Sequence, residues 1–419
     1  MQNSTSMRIT TTGPLPDGWR WVRLRELIRE AQAGFACGQR DPQGVVQLRM
    51  NNVDTWGRFV WDDVLRVPTD AATVEQFRLV PGDVMFNNTN STELVGKSAL
   101  FGSYVEPIVY SNHFTRLRTK QDVLLPPFLA GWLNHQWRRG VFAGICNRWI
   151  GQSAVKADKL LNLDFPLPPI SDQERITAAL CEQMAAVTHA RAAGQVRIKA
   201  AKAVYDAFVR SVFADNESES WPIRPLFDLC EGPGQYGTSE KSNGKGLGMP
   251  ILGMYHIHES RIRWENIACV DLEPAIIDKY RLRIGDLLFN RTNSAELVGK
   301  TAVFDLNREA VFASYLIRFR LNARVADPDF VSAYINSNLG RRFIERRMGR
   351  AIGQVNVSAS TMHGMPVPAP DFLIQKRIGK MLRKRYDEVL ELRRCMEQES
   401  EAIDALPAAL LQRAFTGAM

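Results

Sequence analysis

The sequence predicts an α+β protein in which two pseudo-two-fold-related α/β domains are separated by two long antiparallel helices forming a coiled-coil spacer. Three observations predict it. One stretch of the chain occurs twice, 203 residues apart. Each copy sits among short apolar runs of strand character, broken by Gly, Pro, Asn and Asp. Each domain-sized segment then ends in a Pro-x-Pro exit and about forty residues of helical periodicity.

The first copy runs from Gly82 to Phe101 and the second from Gly285 to Phe304, with 14 of 20 aligned residues identical. Their shared kernel is Gly-Asp-x-x-Phe-Asn-x-Thr-Asn-Ser followed by Glu-Leu-Val-Gly-Lys. The correspondence continues in order: Ile150-Gly151-Gln152 with Ile352-Gly353-Gln354, Pro166-Leu167-Pro168 with Pro366-Val367-Pro368, Gln173-Glu174-Arg175-Ile176 with Gln375-Lys376-Arg377-Ile378, and Phe213 with Phe415. Such a period is too long for a solenoid, so each half is a domain plus an appendage.

The 419 residues suffice for two or three cores, and 45% hydrophobic with 23% charged residues is ordinary for a globular chain. A net charge of +8 favours a polyanionic partner. Six scattered cysteines lack disulfide-framework or metal-ligand spacing, and only His256-x-His258 brings two histidines together, so no metal site is expected. No apolar run approaches the ~20 residues of a membrane span. A cytoplasmic protein is expected.

In chain order, residues 1–14 are polar and expected to be disordered. Domain one spans 15–169. It begins with an amphipathic segment from Trp19 to Leu27, followed by strand signals at 45–48, 59–61, 83–86, 98–101 and 114–117 and a helix over about 131–142. Prolines 166, 168 and 169 end it, because proline cannot extend a sheet. A first spacer helix (170–214) starts at a Ser171/Glu174 capping box and reaches about 60 Å at ~1.5 Å per residue, with a weak middle near Gly194. A polar linker (215–220) leads to domain two (221–370), which opens on a Gly-rich loop carrying Lys241 and Lys245. The second helix and tail (371–419) show a heptad at Val389, Leu392, Met396, Ile403, Leu406 and Leu410, and Pro407 is expected to break or kink it. Two helices with apolar stripes bury them most simply against each other, antiparallel.

The repeated loop admits two chemical readings. Asn and Arg can form bidentate hydrogen bonds with adenine and guanine edges, while Ser, Thr and Lys suit phosphate oxygens. The same residues also make self-capping Asx turns. Gly96-Lys97-Ser98 and Gly299-Lys300-Thr301 imitate the end of a P-loop, but Ser91 and Ser294 stand where its first glycine is required, so nucleotide binding is rejected. Pro126-Pro127-Phe128 follows Leu125 rather than the Asn or Asp of an adenine methyltransferase tetrad. No cofactor loop, nucleophile elbow or nuclease cluster stands out. The chain reads as non-catalytic.

Taken together, these motifs and the terminal Leu410-Leu411-Gln412-Arg413-Ala414-Phe415-Thr416-Gly417 closely resemble the specificity (S) subunit of type I restriction–modification systems. The resemblance implies that each domain is a target-recognition domain reading one half of a bipartite, asymmetric double-stranded DNA sequence. It implies that the helices set half-site spacing and dock two methyltransferase (M) subunits, which restriction (R) subunits join. S-adenosylmethionine, Mg²⁺ and ATP would belong to those partners, with no cofactor in this chain. DNA contacts are then expected from Asn87, Asn88, Thr89, Asn90, Ser91, Lys97, Arg148 and Gln152 in one half, and from Asn290, Arg291, Thr292, Asn293, Ser294, Lys300, Arg350, Gln354 and Asn356 in the other. Asn88 faces Arg291 across the repeat, so the halves are expected to read different bases. A protein scaffold without base readout is the alternative.

Overall fold

The computed structural model describes residues 15–214, 218–243, 246–258, 260–351, 354–416 and 418–419. The expected disordered segment 1–14, the linker residues 215–217, Lys245, Ile352 and Gly353 lie outside the described residues. The chain divides into two compact units, Met1–Gly194 with Glu399–Met419, and Gln195–Gln398. Both boundaries fall within the long helices, so each unit holds one recognition-type domain and a part of both helices.

In the first unit the central strand is Val84–Asn87, with all four residues buried. It pairs antiparallel with Ser98–Leu100 on one side and Phe114–Thr119 on the other, and Ile28–Ala33 lies beyond the latter. Helix Pro126–Arg138, with prolines in its first turn, lays Phe128, Leu129, Trp132 and Leu133 into the core. Gly140, at φ +74°, ends it before a short helix, Val141–Ile145, so the single helix expected over 131–142 is two. Phe142 of the second packs edge-on against Phe86 at 5.0 Å.

A mixed three-stranded sheet runs Leu65–Val67, Val45–Leu48, Ile108–Tyr110. The strand expected over 59–61 is absent there. Phe59 makes one isolated bridge to Val53, then stacks on Trp61 at 5.2 Å and meets Phe101 edge-on. Burying three rings against Met85 and Ala99 outweighs ladder pairing at that place. Trp19 to Leu27 resolves into strand Arg20–Arg23, which pairs with Asp164–Leu167, and a single helical turn.

The second unit repeats this plan. Its four-stranded sheet runs Gln235–Tyr236, Leu316–Phe319, Leu287–Asn290, Thr301–Val303, and its mixed sheet Ala268–Val270, Met249–Leu252, Val311–Phe312. Ile223–Pro225 pairs with Pro366–Pro368 as Arg20–Arg23 does with Asp164–Leu167.

The long helices are Ile170–Phe213 and Phe372–Phe415, each 44 residues. The first begins before Ser171, with Asp172 and Gln173 N–H groups donating to the Pro169 carbonyl, so the expected capping box is not the start. The second continues through Pro407, contrary to the expected break. The Pro407 ring is buried, and losing one N–H donor among 44 residues does not end the helix. Buried or half-buried Leu382, Tyr386, Val389, Arg393, Met396, Ser400, Ile403, Pro407 and Leu410 keep heptad spacing along it. Leu392 and Leu406, expected on that stripe, are exposed.

Within the first unit, Arg191 pairs with Asp404 at 3.2 Å while Leu180 and Phe415 share a core, so the two segments run antiparallel. Within the second, Tyr205 meets Tyr386 at 4.8 Å, and Val209 and Phe213 share a core with Ile378 and Leu382. The fold is thus α+β, with duplicated α/β domains and an antiparallel pair of long helices.

Candidate nucleic-acid interface

Strand Val84–Asn87 delivers the first polar loop directly from the core. Asn87 is fully buried. Its Nδ2 donates to the carbonyls of Thr89 (3.1 Å) and His113 (2.9 Å), and its Oδ1 accepts from Asn90 Nδ2 (2.6 Å). Asn90 Oδ1 in turn accepts the Ser91 amide at 2.8 Å. Asn87 and Asn90 therefore shape the loop, and the Asx-turn reading holds for them. Asn87, expected among the DNA contacts, has no side-chain surface to offer one.

Asn88 and Thr89 remain half-buried. Asn88 Nδ2 donates to Asn112 O (3.2 Å) and Thr115 Oγ1 (3.0 Å), and its Oδ1 accepts the Thr89 hydroxyl (2.7 Å). Thr89–Asn90 forms the edge of a three-stranded sheet with the hairpin Asn147–Trp149 and Gln152–Ala154, in register Asn90↔Ser153 and Thr89↔Ala154. The fold thus brings Asn88, Thr89 and Ser91 together with the exposed Arg148 and Gln152 of the hairpin. At its tip Trp149 is 61% exposed and Ile150 fully so. Sequence reasoning passed over Trp149; its replacement by Ala351 in the second copy is the signal that could have found it.

Lys97 departs from expectation. It is buried, and its Nζ donates to the carbonyls of Val53 and Met50. Burial lowers its pKa, while the nearby Asp54 pulls the other way. A side chain enclosed there does not meet a phosphate. The preceding Gly96, at φ +97°, explains the Gly-Lys pair structurally: a Cβ would stand 2.2 Å from the Phe142 ring.

The second loop follows the same path with different side chains. Thr292–Asn293 pairs with Gln354–Asn356, which pairs with Gly349–Ala351. Arg350 and Gln354 occupy that hairpin, their side chains lying outside the described part, and Asn356 is exposed. Asn290 is as buried as Asn87, but its Oδ1 has no hydrogen-bond partner among the described residues, and Asn293 Nδ2 turns to Met254 Sδ at 3.6 Å. Asn293 Oδ1 accepts the Ser294 amide at 2.9 Å. Thr292 and Lys300 are half-buried and Ser294 is exposed. Arg291 sits with its guanidinium carbon 4.8 Å from the Tyr236 ring centre. The structure thus places Asn87, Asn290 and Lys97 inside, and gathers the remaining described candidates except Lys300 onto a loop-plus-hairpin sheet in each unit.

The fold and the paired sheets define a duplicated, two-domain α+β protein. No protein-family model matches the chain. Curated relatives match over nearly its whole length. The putative type I restriction enzyme MjaX specificity subunit of Methanocaldococcus jannaschii is 23% identical, covering 97% of this chain and 95% of the relative. The type I restriction enzyme EcoKI specificity subunit of Escherichia coli is 21% identical over 97% and 90%. Among solved structures, one reported under "Structural basis underlying complex assembly and conformational transition of the type I R-M system" superposes with a TM-score of 0.74 at 21% identity, covering 97% of this chain and 100% of that one. The HsdS subunit from Thermoanaerobacter tengcongensis gives 0.55 at 22% identity, over 98% and 99%. Over nearly its whole length the chain is thus similar to specificity subunits of type I restriction–modification systems.

Proposed function

We propose that this chain is the non-catalytic subunit that gives its complex DNA sequence specificity, each target-recognition domain reading one half of a bipartite, asymmetric site. The observation that carries this reading is the same loop-plus-hairpin framework built twice with unlike residues at matching places. Asn88 is replaced by Arg291, Ala154 by Asn356 and Trp149 by Ala351. A framework held constant while residues at matching places change suits two readers of different base sequences.

The partners in this reading are double-stranded DNA, two M subunits and the R subunits, in the cytoplasm. S-adenosylmethionine, Mg²⁺ and ATP act on those partners, and this chain supplies position. The two long helices, integral to both cores, then fix half-site spacing.

The test is to co-express the chain with its cognate M subunits and map methyl-adenine across a genome. One split motif with two unlike halves is expected. Methylation without a defined motif, or at one contiguous site, contradicts the reading.

A further inference from the structure

Arg291 differs from the other enclosed arginines of its unit. Arg320 is held by Asp286 at 2.8 and 2.9 Å, Arg383 by Asp329 and Asp305, Arg318 by the Arg281 carbonyl and Gln235, and Arg341 by the Val298 carbonyl. The Arg291 side chain makes no hydrogen bond or ion pair among the described residues, and its Nε is buried without an acceptor. Its guanidinium instead lies over the Tyr236 ring, at 4.8 Å. A hydrogen bond would orient the guanidinium by consuming donors. A ring face restrains its plane and leaves the terminal N–H donors of the fork uncommitted.

Tyr236 is itself fixed. Its hydroxyl accepts the Ala359 amide at 3.0 Å, and its backbone pairs with Ile317. The next residue, Gly237, lies so close to the neighbouring chain that a Cβ would stand 2.2 Å from the Phe312 carbonyl oxygen. In the first unit the equivalent place belongs to Ala33, followed by the equally crowded Gly34. There the counterpart of Arg291, Asn88, is oriented by hydrogen bonds to Asn112 and Thr115. Each unit therefore orients its variable residue differently.

We propose that Tyr236 is a specificity-positioning residue that stacks against Arg291 and holds its guanidinium fork for bidentate donation to a guanine edge. Guanine presents two acceptors, O6 and N7, matched to that fork. This inference rests on the reading of the loop as a DNA contact.

The experiment uses the complex with its methyltransferase subunits and maps methyl-adenine for Arg291→Ala, Tyr236→Ala and Tyr236→Phe. Alanine is what the first unit accommodates at this place, so the framework tolerates it. Arg291→Ala is expected to relax one base in one half-site. Tyr236→Ala is expected to relax the same base, its preference falling about tenfold, while Tyr236→Phe keeps it. If Tyr236→Ala retains full preference while Arg291→Ala loses it, the positioning role is overturned and the loop reading stands. If Tyr236→Phe fails like Tyr236→Ala, the hydroxyl matters and stacking is overturned. An unchanged motif in Arg291→Ala overturns both.

Discussion

Gln173 Oε1 accepts the Leu125 amide at 2.9 Å, tying the first turn of the first long helix to the start of a domain helix. Its Nε2 donates to the carbonyls of Val123 (2.9 Å) and Pro168 (3.0 Å). Gln375 repeats all three bonds, with the Asp327 amide and the Val325 and Pro370 carbonyls. Both glutamines are buried, so the repeated Gln-x-Arg-Ile motif is a staple that sets how a recognition domain leaves its helix. Gln173→Leu strands one amide and two carbonyls out of water, where each orphan costs about 1–3 kcal/mol. The unfolding free energy of the first unit is expected to fall by about 3 kcal/mol in all, read as a lower denaturant midpoint in chemical unfolding followed by tryptophan fluorescence.

Lys97→Ala tests its assignment to the interior. Removing the ammonium leaves the Val53 and Met50 carbonyls short of a donor and opens space beside Asp54, costing about 2 kcal/mol of stability. The salt dependence of DNA binding by the assembled complex is expected to stay unchanged. A slope shallower by about one would return Lys97 to the phosphate backbone.

His135 gives the fold an acid-sensitive joint. It is buried and stacks on Phe415 at 5.4 Å, and burial, with Arg139 nearby, pushes its pKa down from 6.5 to about 4. In the unfolded chain the imidazole takes a proton below about pH 6.5, whereas in the fold it does so only below about 4. Stability is thus lost as pH falls through that window, by up to about 3 kcal/mol. Relative to the wild type, His135→Leu is expected to flatten this acid limb between pH 6.5 and 4, as read by melting curves across pH.

Trp149 stands at the hairpin tip where the second copy has Ala351. Trp149→Ala is expected to change folding stability by no more than about 0.5 kcal/mol, since little is packed against the ring. DNA affinity of the assembled complex is expected to fall about tenfold, measured by fluorescence anisotropy, as it does when an exposed aromatic anchor is removed from an interface. Unchanged affinity would remove the hairpin tip from the DNA surface.

The duplication and the strand–loop–strand kernel were legible in sequence because both copies keep the same residues in the same order. The strands over 84–87 and 287–290 announce themselves as apolar runs. Which asparagine of Asn-x-Thr-Asn-Ser faces inward was not legible, because a self-capping turn and a base-reading loop use the same residue types. One of the bonds that turn Asn87 inward goes to the carbonyl of His113, which is 26 residues away. Lys97 misleads for a similar reason, since no local pattern distinguishes a lysine meeting backbone carbonyls from one meeting solvent. The rings of Phe59 and Trp61 mimic strand alternation, and their partners, Phe101 for Phe59 and Tyr104 for Trp61, lie beyond any local window. Tyr236 could have been found by aligning the copies across Gly34 and Gly237 and noting Ala33 opposite an aromatic ring.

The central claim is that the two units read their half-sites independently, through Asn88 in one and Arg291 in the other. The most direct measurement is a pair of methyl-adenine maps, for Asn88→Ala and for Arg291→Ala, each in complex with the methyltransferase subunits. Each substitution is predicted to relax one half of the motif, a different half in each case, by about 1–3 kcal/mol at the affected base. Relaxation of both halves by either substitution, or of the same half by both, would contradict the account.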